Sequence, residues 1–566
     1  MNAPRPTPWS PPTNELLPHT LFRLAAQDPS ATYVEFPNDP DRIEDGYRKI
    51  AFAEVANAVH AVAWWIEENV GKLREEEKIG EKTLVYMGPN DIRYAVLCLG
   101  SVIAGYKMLF PSPRYGAEAL VKLIESVDAK VMLTPEVPIP VVEGVLSKRS
   151  MKTLQIPGVE QLLKSAAEPY PYNKTFQEHS KEPLICLHTS GTTGFPKPIL
   201  WTHEWANSAG RSMNLDAPPG YDLQEELLYS RKEGRGRRMM LLFPPFHASG
   251  VIGMVLFPLT IGATVIYPPT WTTPEAGVEG ALKALDVIAA RDGGVTTDCV
   301  ALVPPLFEYL GKSPEAIRRM SQRTRQVGWG GGRVSRAAGE SVAAQMSILN
   351  AMASTELSIW PTVRPSGTDL SQTAYWEYTT FHPASNIRFD PVSTSTDGTT
   401  LYEAVMIRNN GTEHDGYVQP IFSIFPDAKE QRLGDLFTQH PRNPEQWKHY
   451  GRADDLLVFL TNEKFFPTAV EQRIARHSGV AEVVMVGTRR PVASLIVRLE
   501  DGVQVSDIWG VVEDVNKDSP VYARVGREMI LVVEELFPKT AKGTVQKKAL
   551  LEMYEKELDA LYAGSG

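Results

Sequence analysis

The stretch LHTSGTTGFPKPILWTH (187–203) gathers four threonines, one serine, two glycines and one lysine around a single bend. Thr189, Ser190, Thr192 and Thr193 offer rotatable hydroxyl donors. Gly191 and Gly194 let backbone N–H groups come close to a ligand, and Lys197 adds a point charge. Together these groups suit a polyphosphate. The same composition also describes a Ser/Thr-rich turn that binds nothing. The flanking runs PLICLH and PILW are both strand-like, so the loop joins two strands. A Walker loop lies instead between a strand and a helix and reads GxxxxGK followed by Ser or Thr. The GKS at 311–313 has Leu306 where that motif requires glycine, and the glycines of 328–339 contain no GxGxxG, so neither motif is present.

Six further stretches follow in order: PPFHASG (244–250), GWGGG (328–332), NAMASTE (350–356), GDLF (434–437), GRADD (451–455) and PKTAKGTVQKKAL (538–550). With TSGTTGFPK, this series resembles the adenylate-forming superfamily of acyl- and aryl-CoA ligases, luciferases and peptide-synthetase adenylation domains. The resemblance covers nearly the whole chain. TNEKFFPTAVE and KGTVQKK bring it nearest to the adenylation domain of fungal synthetase-like carboxylic acid reductases.

The resemblance implies a role for each motif. Thr189, Ser190, Gly191, Thr192, Thr193, Gly194 and Lys197 hold the phosphates of ATP. Thr355 touches phosphate and Glu356 ligates Mg²⁺, a hard cation that prefers oxygen; read alone, Glu356 is equally a charge at a helix N-terminus. Asp435, otherwise a turn residue, accepts both ribose hydroxyls. Arg452 accompanies it. Gly330, Gly331, Gly332, Asn350, Ala351 and Met352 form the adenine pocket. Met352 and Ala353 depart from the family's Tyr-Gly, so a thioether replaces the usual ring over adenine. Phe246, His247, Trp329 and Gly330 flank the acid, with His247 also near the α-phosphate; a lone histidine on an apolar stretch is otherwise a core residue. Asp454 is the hinge of a lid, and Lys542 is the lid's catalytic lysine. Gly543 is followed by Thr544 where relatives carry that lysine, so Lys539, Lys547 and Lys548 stand as alternatives, the last two on what reads as a solvated helix face.

The implied chemistry has two half-reactions. A carboxylate attacks Mg·ATP to give acyl-adenylate and pyrophosphate, and a thiol then takes the acyl group. Amino-acid-activating relatives usually carry Phe-Asp in the gate motif, whereas this chain has Phe246-His247. The expected substrate is therefore an acid without an α-amino group, aromatic by preference; Trp360 and the aromatics of AYWEYTTF (374–381) read as ordinary sheet residues, with pocket lining and a cage for a quaternary ammonium as alternatives. The expected acceptor is the phosphopantetheine thiol of a carrier domain, with CoA as the alternative acceptor for a free-standing ligase. The chain ends soon after the lysine motif, so the carrier is expected to lie outside it. A non-catalytic nucleotide-binding relative is the remaining alternative.

These motifs sit on an alternation of strand and helix. Phe52, Val55, Val59, Val62 and Ile66 recur at helical spacing. TLVYMG, KMLF, KVMLT, RMMLLF, ATVIYP and CVALV read as buried strands, with helices expected from Asn90 to Val102, from Ala117, after Ser249 and from Gly280. That is an α/β pattern with mainly parallel sheets. Beyond GRADD the elements shorten into a small α+β unit. The expected division is a large adenylate-forming core of layered sheets and helices at 1–450 and a lid at 451–566. The charged stretch at 218–238 reads as a solvated loop. At 566 residues the chain exceeds one ordinary core. Its net charge of −10 argues against a nucleic-acid partner. Three scattered cysteines, no apolar leader and no membrane-length apolar run point to a cytoplasmic protein.

Overall fold

The computed structural model describes residues 13–73, 82–189, 196–223, 237–294, 297–368, 375–394, 398–411, 416–460, 463–539 and 545–564. Two large sheets dominate these residues. One has seven strands in the order Ser347–Ala351, Thr324–Gly330, Thr297–Leu302, Arg238–Leu241, Thr264–Ile266, Thr32–Pro37 and Tyr47–Ala51. All its neighbours are parallel except the last pair. The other has six strands in the order Lys152–Gln155, Val131–Thr134, Thr83–Tyr86, Lys107–Leu109, Pro183–Thr189 and Lys197–Thr202, and again only the last pair is antiparallel.

Period-two alternation explains the layering. Leu84 and Tyr86 enter the core that holds the helices Phe52–Asn69 and Arg93–Ile103, while Val85 enters the one beneath Ala117–Ser126 and Pro140–Lys148. In the seven-stranded sheet, Met239 and Leu241 face the first of these cores, and Met240 and Leu242 face the helices Pro274–Arg291 and Pro304–Lys312. Helices thus lie between the sheets and outside both. Every residue of Arg93–Ile103 is buried, in keeping with a sequence that is apolar all round beyond its first residue except at Ser101.

Three local expectations are corrected. Asn90 does not cap the helix after it. That helix starts at Arg93, whose N–H is accepted by Asp91 Oδ1 at 2.9 Å, and the Asp91–Arg93 side chains form a buried ion pair at 2.7 Å. The helix expected from Gly280 begins at Pro274, where Thr273 Oγ1 accepts the N–H of Ala276 at 3.2 Å. The helix after Ser249 is interrupted: Ala248–Val251 and Phe257–Thr260 flank a π-helical turn, Ile252–Leu256. Pro258 has no N–H to give the Met254 carbonyl, which accepts the buried Tyr33 hydroxyl at 2.7 Å.

An antiparallel sheet of four strands, Ile387–Thr394, Thr400–Ile407, Glu430–Gln439 and Trp447–Arg452, leads to the C-terminal part. There Val480–Val486, Ala493–Leu499 and Val525–Val532 form a sheet with its own apolar clusters on both faces. The expected architecture of a large layered α/β part and a small α+β part is what the chain adopts. Cys98, Cys186 and Cys299 are free and buried. No helix among the described residues is long and apolar enough to cross a membrane.

Candidate active site

The two strands around the opening motif pair antiparallel with Thr189 opposite Lys197, so these residues face each other across the loop's neck. Lys197 is exposed. Ser190, Gly191, Thr192, Thr193 and Gly194 lie outside the described residues. Just before the neck, His188 is buried and its Nε2 accepts the N–H of Ser112 at 3.0 Å. That bond leaves the proton of the neutral ring on Nδ1, which has no partner among the described residues. Burial pushes the His188 pKa down to about 4. Its ring lies 6.2 Å from that of His247, which is half-buried and directly precedes the helix Ala248–Val251. Phe246 is buried with its ring 5.1 Å from His247.

The second wall comes from the C-terminal ends of two parallel strands, where open α/β sheets usually bind ligands. Trp329 pairs with Asn350 and Gly330 with Ala351. A Cβ on Gly330 would lie 3.0 Å from the Ala351 carbonyl oxygen, and Gly331 has φ +91°. Gly332 faces Pro304. Trp329 does not join this wall. Alternation turns its ring to the opposite face, where it packs 5.1 Å from Phe307 and 5.7 Å from Trp376. It is a core residue, contrary to the expectation that it flanks the acid.

Met352 packs against the cluster around Leu357 and Trp360. The chain then turns in a short hairpin, Ala353–Ser354 with Ser358–Ile359, and Thr355 and Glu356 sit at its tip. Glu356 therefore belongs to a β-turn and not to a helix N-terminus. Leu357 N–H donates to Ser354 Oγ at 3.1 Å, and Ser358 closes the turn at φ +67°. Two carbonyls of the tip are held from outside: Trp201 Nε1 donates to Thr355 O at 2.7 Å and Trp205 Nε1 to Glu356 O at 2.8 Å. The Glu356 carboxylate has no ion pair or hydrogen bond among the described residues. Nor do three or more His, Cys, Asp or Glu gather anywhere among them. One uncommitted carboxylate beside a hydroxyl fits Mg²⁺, which usually takes one or two protein carboxylates and completes its shell with phosphates and water.

A third group sits on the four-stranded sheet. Asp435 stands opposite Arg452. Arg452 Nη1 donates to Asp435 Oδ2 at 2.9 Å and to Leu433 O at 2.8 Å, while His449 Nε2 lies 3.1 Å from Asp435 Oδ1. Gly434, at φ +70°, leaves room for the guanidinium; a Cβ there would lie 2.9 Å from Arg452 Nη2. Arg333, next after the glycine turn, donates to Tyr450 O at 2.8 Å and so ties that turn to the strand entering the hinge motif. Asp454 follows in the short turn Ala453–Asp455, 3.9 Å from Arg452.

Lys542 lies outside the described residues. Lys539 pairs with Glu482 at 2.6 Å. Lys547 is no solvated side chain: it pairs with Glu471 at 3.2 Å and approaches Asp455 at 3.8 Å. Lys548 makes an exposed contact with Glu552 one helical turn on. Sequence reasoning missed His188, Trp201, Trp205, His449 and Arg333. Only His188 carried a signal, as the residue abutting Thr189.

Comparison with known proteins shows the family and the fold. The chain is 30% identical over 554 residues to a carboxylic acid reductase of Neurospora crassa, covering 95% of this chain and 50% of the relative. It is 30% identical over 562 residues to the isocyanide synthase-NRPS hybrid crmA of Aspergillus fumigatus, covering 97% of this chain and 33% of the relative. The chain thus spans half or less of the length of these relatives. The crystal structure of ATP-bound MatB from Rhodopseudomonas palustris has the same fold, with a TM-score of 0.66 at 16% identity over 96% of this chain and 99% of that one. The sequence profile of the AMP-binding enzyme C-terminal domain matches residues 454–566. The profile described as AMP-binding enzyme matches residues 21–380, and with that match the chain belongs to the AMP-binding, adenylate-forming enzymes.

Proposed function

We propose that this chain activates a carboxylic acid lacking an α-amino group, aromatic by preference, and delivers it to the phosphopantetheine thiol of a carrier domain, as the adenylation part of a carboxylic acid reductase. The observation that carries the reading is the joining of two walls: the strand and helix that leave the phosphate loop bond directly to the Thr355–Glu356 turn. Similarity to a carboxylic acid reductase over 95% of the chain supports the reductase setting. Phe246-His247 in place of Phe-Asp supports an acid without an ammonium group, since no carboxylate stands there to pair with one.

In this reading Thr189 and Lys197 flank the ATP phosphates, Asp435 orients the ribose, and Gly330–Gly332 with Asn350–Met352 receive the adenine. Thr355 and Glu356 would hold Mg²⁺, which supplies charge neutralisation at the phosphates when bound. His247 stands on the acid's side, and its neighbour His188, buried and neutral, adds no charge that would compete for the carboxylate. Catalysis is then positioning and charge stabilisation of two anions brought together. The lid, 451–566, turns about Asp454 between the half-reactions, removing Lys542 once adenylate has formed. The setting is cytoplasmic.

The test is acid-dependent exchange of labelled pyrophosphate into ATP across a panel of aryl, alkyl and α-amino acids. Aryl or other non-amino acids are expected to drive exchange, and a preference for α-amino acids would overturn the substrate assignment. Loading of a phosphopantetheinylated carrier in preference to CoA is expected in the second half-reaction.

A further inference from the structure

We propose that Trp201 and Trp205 are positioning residues that fix the Thr355–Glu356 turn, and with it the metal-holding carboxylate, relative to the strand that carries Lys197. The inference rests on the reading of Glu356 as the Mg²⁺ ligand. Both indoles are fully buried, and they stack at 3.7 Å with their planes 11° apart. Each side chain would fill its space as an ordinary aromatic. What distinguishes them is the direction of their single N–H donors. Trp201 gives its proton to Thr355 O and Trp205 gives its own to Glu356 O, two consecutive carbonyls of one turn. Holding two successive carbonyls orients both peptide planes, leaving the turn one backbone conformation. Ser358, in a left-handed conformation uncommon for a side-chain-bearing residue, closes the same turn and needs such external support.

The indoles stand on the segment that leaves the phosphate loop: Trp201 pairs opposite Ile185, toward the end of the strand pair away from the neck where Thr189 faces Lys197. Trp201 is on the strand Lys197–Thr202, and Trp205 is in the first turn of the helix His203–Ser212, whose N-cap Thr202 Oγ1 accepts the Trp205 N–H at 3.1 Å. Lys197 and the indoles thus belong to one continuous, regular segment. The two indole hydrogen bonds tie this segment directly to a turn 154 and 151 positions further along the chain. Small displacements of a charge-bearing group weaken a preorganised site strongly.

The experiment substitutes Trp201→Phe and Trp205→Phe, removing each donor while keeping an aromatic ring. Trp376→Phe, in the core beneath the seven-stranded sheet, controls for the loss of a buried indole. Two quantities are read: the Mg²⁺ concentration giving half-maximal pyrophosphate exchange, and ATP affinity by calorimetry with Mg²⁺ and with EDTA. Each site variant is expected to raise the Mg²⁺ requirement about five- to tenfold, the scale of one hydrogen bond left unmade. ATP affinity is expected to fall with Mg²⁺ present and to stay unchanged in EDTA. Trp376→Phe is expected to lower the melting temperature without moving the Mg²⁺ requirement. Glu356→Gln separates the two claims. If it leaves the Mg²⁺ requirement unchanged, the metal reading falls and takes this proposal with it. If it raises the requirement while both site tryptophan variants do not, the positioning role alone is overturned. Should the phenylalanine variants fail to fold, benzothienylalanine at position 201, which keeps the indole shape without the N–H, gives the same readout.

Discussion

Asp435 and Arg452 stand directly opposite each other on neighbouring antiparallel strands, and the guanidinium donates to the carboxylate at 2.9 Å. His449, on the same strand as Arg452, holds the other oxygen. Both carboxylate oxygens of Asp435 are thus held in place by the sheet, and in the proposed reading each keeps a lone pair for a ribose hydroxyl. Arg452→Gln keeps a donor but loses the charge and the fork. It should raise KM for ATP about tenfold, the scale of a charge-assisted hydrogen bond, with a smaller change in kcat. A kcat loss with KM unmoved would mean that Arg452 acts on the chemistry and not on nucleotide placement.

Glu356→Gln keeps the shape of the turn residue and removes its charge. The backbone carbonyl that Trp205 holds is untouched, so the turn itself should persist. Adenylation is expected to fall at least roughly 100-fold, the scale on which one preorganised electrostatic group acts. Adenylate formation followed at limiting Mg²⁺ checks this, and wild-type rates there would place the metal elsewhere.

Much of the fold was legible because it rests on period. The alternation of Leu84, Val85 and Tyr86 between two cores is written in a short apolar run, and the helix at Phe52–Asn69 in its spacing. The Thr273-Pro274 start of a long helix was also legible, since a threonine cap followed by proline is a start signal, and reading from Gly280 passed over it. Trp329 was legible in the same way: flanked by Gly328 and Gly330 on a strand, it had to face away from them. The indole clamp was not legible. Its bonds join residues 154 and 151 positions apart, and nothing local in either segment announces a partner. His449 fails for a different reason, since its pairing with Asp435 depends on the strand register and on the bulge between Leu436 and Phe437.

Two buried histidines predict a pH dependence of stability. Burial, above all, pushes His188 down to about 4 and His203 to about 3. As pH falls from about 6.5 toward 4, the unfolded chain protonates these rings and the folded one does not. Each therefore removes stability on acidification, at up to about 1.4 kcal/mol per pH unit within that window. His188→Gln keeps an acceptor for the Ser112 N–H and removes the titration. Its urea midpoint should fall less than the parent's between pH 7 and pH 4.5. Parallel curves for the two proteins would show that His188 already carries a proton in the folded state.

The lid lysines give the sharpest test of the half-reaction order. Lys539 is committed to Glu482, and Lys547 to Glu471 with Asp455 close by. Lys547 thus reaches the turn Ala453–Asp455, which carries Asp454, the hinge of the proposed reading. Moving either ammonium to a phosphate requires breaking a partly buried ion pair and leaving its carboxylate behind, which is costly. Two cations of the motif remain: Lys548, which lies on the terminal helix one turn from Glu552, and Lys542, which the proposed reading takes as catalytic because glycine at 543 lets its neighbour adopt varied backbone angles. Lys542→Ala is therefore expected to cripple adenylate formation and spare thioester formation from supplied acyl-adenylate. Lys547→Ala leaves Glu471 unpaired, and burial already holds that carboxyl above the usual range. It should lower lid stability, which a melting curve reports, while adenylation persists. Normal adenylation by Lys542→Ala together with its loss in Lys539→Ala or Lys547→Ala would reassign the catalytic ammonium and require that the ion pair observed for that lysine open during the reaction.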